Sequence, residues 1–364
     1  MAHRGRQLRD EGRWRCPRTF DGRGPRGVLD EDRPVVLFAS NDYLGLSGHP
    51  EVVAAAHAAL DRWGAGSGAS RLVTGSRPVH GRLEAELAEW KGQERAVLFP
   101  TGFAANLGVL AAFGDGDTTI LSDELNHASI VDGARLARGR VAVYRHADLD
   151  HLEWLLARAG GRAMVVTDLV FSMDGTEAPL DGIAGLCRRH GALLVLDEAH
   201  AVFDRSLASD LAGVDLLRVG TLSKALGSVG GFVAGPTPFA ELVENCARSY
   251  IFTTAPPPAS VAAALAALSV VRSAEGAALR ARLRSHVDRL RPGHPSPIVP
   301  VILGSEERAL RASDELLRQG LWVPAIRPPT VPVGTARLRV TLSAAHHGDE
   351  VDRLAAALDL LRTG

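Results

Sequence analysis

The chain is poor in lysine. Among its 41 basic residues only Lys91 and Lys224 are lysines, which leaves 39 arginines. Arginine supplies surface charge and carboxylate binding at least as well as lysine, but it does not give up its proton to become an amine nucleophile. A lysine kept among small residues, in "GTLSKALG" at 220–227, therefore points to chemistry rather than to charge. Other scarcities exclude whole classes of protein. Cys16, Cys187 and Cys246 are far apart and lack CxxC spacing, so they offer neither a disulfide framework nor a zinc site and fit a reducing compartment. No apolar run reaches the ~18 residues of a membrane span. The basic start "MAHRGRQLRDEGRWRCPR" has no apolar core of the signal-peptide kind. A net charge of −1 gives no electrostatic basis for binding nucleic acid or an anionic membrane. These features lead us to expect a cytoplasmic protein. At 364 residues two packed domains are expected.

The middle of the chain alternates short apolar runs with helical patterns. "RAVLF" (95–99), "TTILS" (118–122), "VAVY" (141–144), "AMVVT" (163–167), "ALLVL" (192–196) and "DLLRVG" (215–220) read as buried strands, and "GGFVAG" (230–235) as an extra one. Strands apolar on both faces, separated by helices, predict an α/β domain with a mainly parallel sheet between helices. After "APPP" (255–258) the texture changes to a long helical region over about 260–291, then strands and helices of a smaller α+β domain. The expected division is an N-terminal arm over 1–40, a large domain over 41–272 and a C-terminal domain over 273–364.

In a parallel sheet, ligands bind beyond the carboxyl ends of the strands, so the residues that follow each apolar run carry the information. They are "PTGFAANLG", a glycine turn opening a helix and suited to a phosphate; "DELNHAS", with His127; "DLVFSMDG", with Asp168 and Ser172; "DEAH", with Asp197 and His200; and "TLSK", with Thr221, Ser223 and Lys224. Taken singly, each has a structural explanation: Asp197 caps a helix, His127 is a satisfied polar residue, and glycine commonly precedes a helix. Lys91, in "LAEWKGQERA", reads as a charge at an exposed helix end. The clustering favours chemistry over separate explanations. A phosphate cradle, a lysine amine and an aspartate at neighbouring strand ends are what pyridoxal phosphate (PLP) requires, since the lysine bonds its aldehyde and the acid keeps its ring nitrogen protonated. There is no GxxxxGK[ST], and "GAGSGAS" (64–70) does not follow a strand, so P-loop and dinucleotide folds find no support.

These motifs resemble those of the α-oxoamine synthases, a fold-type I PLP family. The matching segments are "SNDYLGLSGHP", "GSGASRLVTGS", "LEAELAEW", "FPTGFAANLGVL", "SDELNHASIVDGARL", "VFSMDG", "LDEAH", "TLSKALG" and "AIRPPTVPVGTARLRVTLSAAH". The resemblance implies that the large domain binds PLP. It makes Lys224 the Schiff-base lysine, pairs Asp197 with the pyridine nitrogen, and sets His200 on the ring's phenolic oxygen and His127 on its face. Ser172, Thr221 and the backbone of Gly102 and Phe103 then hold the cofactor, and Thr253 and Thr254 reach the phosphate of a neighbouring subunit in a homodimer with shared active sites. Arg339 is implied to bind the amino-acid carboxylate, with Arg15 and Asn41 as further substrate-site residues. The last segment is most similar to the biotin-pathway branch, which implies L-alanine and a pimeloyl thioester, carried by coenzyme A or an acyl carrier protein. Glycine- and serine-using branches, and a non-catalytic partner subunit, are the rival readings. Two departures stand out: "AVFDRSLASDLAG" follows "DEAH" in place of a glycine-rich loop, and Asp168 stands where glutamate is commoner. Both are expected to reshape the acyl or carrier entrance.

Overall fold

The computed structural model describes residues 5–7, 9, 14, 16–203 and 211–363. An N-terminal meander of β1 (Phe20–Arg23), β2 (Arg26–Leu29) and β3 (Arg33–Leu37) leads into α1 (Pro50–Trp63) and α2 (Pro78–Trp90). Next come β4 (Arg95–Phe99), α3 (Gly102–Phe113), β5 (Thr118–Asp123), α4 (Ala128–Leu136), β6 (Arg140–Tyr144), α5 (Leu149–Leu156), β7 (Arg162–Asp168), α6 (Leu180–His190), β8 (Leu193–Asp197), β9 (Leu216–Thr221), β10 (Gly231–Gly235) and α7 (Thr237–Cys246). The seven strands β4 to β10 form one sheet in the order β4-β10-β9-β8-β7-β5-β6. The ladders between β6, β5, β7, β8 and β9 are parallel, and β10 runs antiparallel between β9 and β4. The expected strand at 230–235 is thus present, with reversed direction. Its glycine start is required: a Cβ on Gly231 would lie 2.5 Å from the Gly102 nitrogen, where the strand runs under the start of α3.

The predicted helix over 260–291 is two helices, α8 (Pro258–Arg272) and α9 (Ala274–Leu290), bent by 78°. Ser273 causes the break, because its hydroxyl accepts from the Glu275 and Gly276 N–H groups and so caps a new helix. Among the described residues no single helix is long and apolar enough to cross a membrane. The C-terminal part has β11 (Ile298–Gly304), α10 (Glu306–Arg318), β12 (Leu321–Trp322), β13 (Ala325–Ile326), β14 (Ala336–Thr341) and α11 (Gly348–Thr363). Its antiparallel sheet is ordered β11-β14-β13. The N-terminal strands do not hang free as an arm. β3 pairs in parallel with β12, and Arg26 forms a two-pronged ion pair with Glu350 of α11 at 2.6 and 2.7 Å.

Candidate active site

Lys224 lies just past the end of β9, in a turn that Gly227 closes by donating its N–H to the Lys224 carbonyl at 2.9 Å. Gly227 has φ +57°, and a Cβ there would sit 2.3 Å from the Ser47 nitrogen, so glycine lets the turn press against the 46–48 segment. The Lys224 amine is 2.8 Å from His200 Nε2, and His200 Nδ1 is 2.5 Å from the Tyr43 hydroxyl. Tyr43 donates in turn to Asn41 Oδ1 at 3.2 Å. One proton arrangement satisfies the whole row: the ammonium donates to Nε2, Nδ1–H donates to the phenol oxygen, and the phenol donates to the amide oxygen. That needs a neutral imidazole. Burial, and then the nearby Lys224 charge, hold His200 well below the usual histidine range. Burial likewise pulls Lys224 down to about 8 and pushes Tyr43 up to about 12.

Asp197 ends β8. Its two carboxylate oxygens are fixed separately, Oδ2 by the Asn106 amide at 2.6 Å and Oδ1 by the Ala199 N–H at 2.8 Å. Asn106 sits in the second turn of α3, an otherwise apolar helix, and its amide nitrogen also donates to Ser129 Oγ at 2.9 Å. The Ser129 hydroxyl lies 2.8 Å from His127 Nδ1, which also accepts the Ser129 N–H at 3.2 Å. A ring nitrogen that accepts twice is unprotonated, so His127 is the neutral Nε2–H tautomer; burial lowers its pKa accordingly. The Phe103 ring meets His127 edge to face at 6.4 Å.

Asp168 departs from expectation. It does not line an entrance: it is buried, and its Oδ2 accepts the backbone N–H of His127 at 2.7 Å. The β7–β8 register pairs it with Asp197, and burial followed by that neighbouring carboxylate pushes its pKa well above the usual range. The shorter acid therefore sets the height of His127. Of the altered loop after His200, residues 204–210 lie outside the described residues, as does Arg15.

Lys91 also departs from expectation. It is 3% exposed, with its amine 2.8 Å from Glu198 Oε2 and 3.8 Å over the Trp90 ring. Glu198 also pairs with Arg218 of β9. Burial alone would raise the Glu198 pKa, but the Lys91 and Arg218 charges outweigh it and hold Glu198 below the usual carboxylate range. The lysine at the end of α2 turns inward because Glu198, next to Asp197, needs a compact cation there. The scarcity of lysine was a signal for both lysines, not one.

Arg339, on β14, donates to the Ser172 carbonyl at 2.6 Å, to Thr341 Oγ1 at 2.8 Å and to Asn41 Oδ1 at 3.2 Å. Its guanidinium is thus held by neutral acceptors beside the Lys224–Asn41 row, where a carboxylate would find a charged partner. Thr221 Oγ1 bonds Ser223 Oγ at 2.7 Å and the Gly230 carbonyl at 3.1 Å. A Cβ added to Gly102 would come within 3.4 Å of Thr221, so the bare helix start and this threonine face each other. Thr101 caps that helix through the Ala104 N–H, which leaves the Gly102 and Phe103 N–H groups to an anion. Thr253 and Thr254 are not joined to this cluster by a hydrogen bond among the described residues. Sequence reasoning gave no role to Asn106, Ser129 or Tyr43, although a lone asparagine in "GFAANLGVLAAF" is a visible signal.

Residues 33–358 match the family described as aminotransferase class I and II. The chain is 47% identical over 373 residues to 8-amino-7-oxononanoate synthase of Geobacter sulfurreducens, covering 97% of this chain and 95% of that protein. It is 52% identical over 342 residues to the same-named protein of Anaeromyxobacter dehalogenans, covering 90% and 86%. Among solved structures it is similar to a serine palmitoyltransferase from S. paucimobilis with a bound PLP–myriocin aldimine, at a TM-score of 0.91 and 29% identity, covering 99% and 96%.

Proposed function

The chain belongs to the class I and II aminotransferase family and to its α-oxoamine synthases, and from that premise we propose that it is a PLP-dependent C-acyltransferase of biotin biosynthesis. It condenses L-alanine with a pimeloyl thioester, releasing carbon dioxide and the carrier thiol, to give 8-amino-7-oxononanoate. The observation that carries this reading is the Lys224 amine, its pKa lowered by burial and 2.8 Å from His200, in the turn after β9, next to β8, which ends in a doubly held Asp197. The residues fit PLP. Lys224 would bond it, Asp197 would pair with its ring nitrogen, His127 would cover its face, and Ser172, Thr221 and the N–H groups of Gly102 and Phe103 would hold the rest.

When bound, PLP supplies an electron sink for charge developing at the alanine Cα. The protein does the remainder. Arg339 takes the alanine carboxylate beside Asn41 and so fixes which Cα bond stands over Lys224. Lys224 Nζ is the base for the Cα proton, and burial leaves much of it as neutral amine near pH 8. His200 accepts from that amine and holds its rotamer, with Tyr43 and Asn41 completing the row. Asp197 keeps its negative charge pointed at one place because Asn106 and Ala199 already hold both oxygens, so no reorganisation is needed as charge develops.

A homodimer with shared sites belongs to the same reading. Phe252, Leu72 and Val73 are 70%, 57% and 73% exposed around the exposed Thr254, a surface suited to cover by a second copy. Its threonine hydroxyls then serve the partner's phosphate. The carrier is coenzyme A or an acyl carrier protein. A substrate panel read by release of the carrier thiol tests the assignment: L-alanine with a pimeloyl thioester is expected to outcompete glycine and L-serine. Preference for glycine with a short acyl thioester would move the chain to a sister activity.

A further inference from the structure

Segment 253–256 is held by three hydrogen bonds, two to segment 67–75 and one to His80 of α2. The Ala255 N–H donates to the Ala69 carbonyl at 2.9 Å. The Pro256 carbonyl accepts twice, from Ser67 Oγ at 2.8 Å and from His80 Nε2 at 2.9 Å. His80 is fully buried in the first turn of α2, and its Nδ1 accepts the Arg77 N–H at 3.1 Å, which makes Nε2 the protonated nitrogen and a fixed donor. The seat itself is stiff. Arg71 grips Glu84 with two bonds at 2.8 and 2.9 Å, and Glu84 also accepts the Leu98 N–H of β4 at 3.0 Å. A Cβ on Gly75 would meet the Ala69 carbonyl at 2.1 Å and Ala255 at 2.8 Å, so the two segments touch where only glycine fits. Among the described residues nothing pairs with the hydroxyls of Thr253 and Thr254, three and two positions before the doubly gripped carbonyl. Both lone pairs of the Pro256 carbonyl are thereby used, and the acceptor that satisfies the buried His80 Nε2–H belongs to the strap itself, so the position of the strap and the burial of His80 are tied together.

We propose that His80, helped by Ser67, is a positioning residue that sets the Thr253–Thr254 strap, and that it acts on the phosphate site of the partner subunit rather than on the site of its own chain. The inference rests on the shared-site reading above and adds which residues tune it. Losing one of two donors to a buried carbonyl is expected to weaken PLP binding by about five- to tenfold, with the Lys224 chemistry unaltered.

Hybrid dimers decide it, purified through two different affinity tags. One chain carries Lys224→Ala and the other His80→Phe. Only the His80→Phe chain keeps Lys224, so borohydride fixation of cofactor to the Lys224 peptide at rising PLP concentration reports one defined site. That site takes its strap from the Lys224→Ala chain, whose His80 is intact. The expected half-saturation is therefore that of wild type, whereas His80→Phe homodimers are shifted by the full factor. His80→Gln, which keeps an amide donor, is expected to restore most of the affinity, and Ser67→Ala, a milder change safe for folding, to behave as His80→Phe does. The same experiment with Thr253→Ala, Thr254→Ala in place of His80→Phe tests the shared site alone. Recovery with the threonine variant but not with His80→Phe or Ser67→Ala overturns the role of His80 and leaves the shared site standing. Recovery with neither overturns both.

Discussion

Replacing Asn106 by leucine isolates the orientation of the Asp197 charge. The side chain keeps its branched, four-heavy-atom skeleton, and the lost group is one amide donor to Asp197 Oδ2 at 2.6 Å and to Ser129 at 2.9 Å. A hydrogen bond to a charged acceptor contributes about 1.5–3 kcal/mol. If all of it is felt as charge develops at Cα, deprotonation slows by about 10- to 150-fold, because about 1.4 kcal/mol is tenfold in rate. The assay is exchange of the L-alanine Cα proton with deuterated solvent, which needs no acyl thioester and so excludes later steps. KM for L-alanine is expected to stay within about twofold, since the partner proposed for its carboxylate is Arg339 and not Asn106. The decisive comparison is the double variant with Asp197→Asn. If Asn106 acts through Asp197, removing both is no slower than Asp197→Asn alone. Exchange at the wild-type rate in Asn106→Leu, or full additivity in the double variant, refutes the argument.

Two further outcomes follow from the lysines. Burial disfavours the Lys224 ammonium, so the free amine prevails above about pH 8; capture of PLP by apoenzyme is expected to accelerate up to that pH and then level off, and borohydride then fixes the cofactor to the Lys224 peptide. Rates still climbing tenfold per pH unit toward the ordinary lysine value of ~10.4, or label on Lys91, would count against it. Lys91→Met removes one cation from a buried carboxylate and is expected to destabilise the fold by about 3 kcal/mol in denaturant unfolding; an unchanged midpoint would show Glu198 satisfied by Arg218 alone.

The sheet was legible because each central strand is a short run apolar on both faces, and such runs end where burial ends. The chemistry was legible for a related reason: polar residues directly after those runs, as in "DEAH" and "TLSK", have little else to do. What escaped was the support behind them. Asn106 lies inside a helix, not at a strand end, and only the folded geometry brings it across to Asp197. Lys91 looked solvent-facing because its helix ends there, and nothing local shows that Glu198 lies opposite. The break at Ser273 hid for a simpler reason, since serine between two alanine-rich stretches caps a helix without interrupting the composition. The role of Asp168 could not be told from its identity, because its target is a backbone N–H.

The inward turn of Lys91 has a practical side. With one lysine sealed against Glu198, the ε-amine left within reach of solvent is that of Lys224, half-buried in the cofactor cleft. Small amine reagents such as acylating esters and aldehydes then have, beyond the amino terminus, a single target, and they reach it through the active site. Filling that site shields it. Amine labelling of this arginine-coated protein therefore works as a site-occupancy meter, which a lysine-rich relative would drown in background.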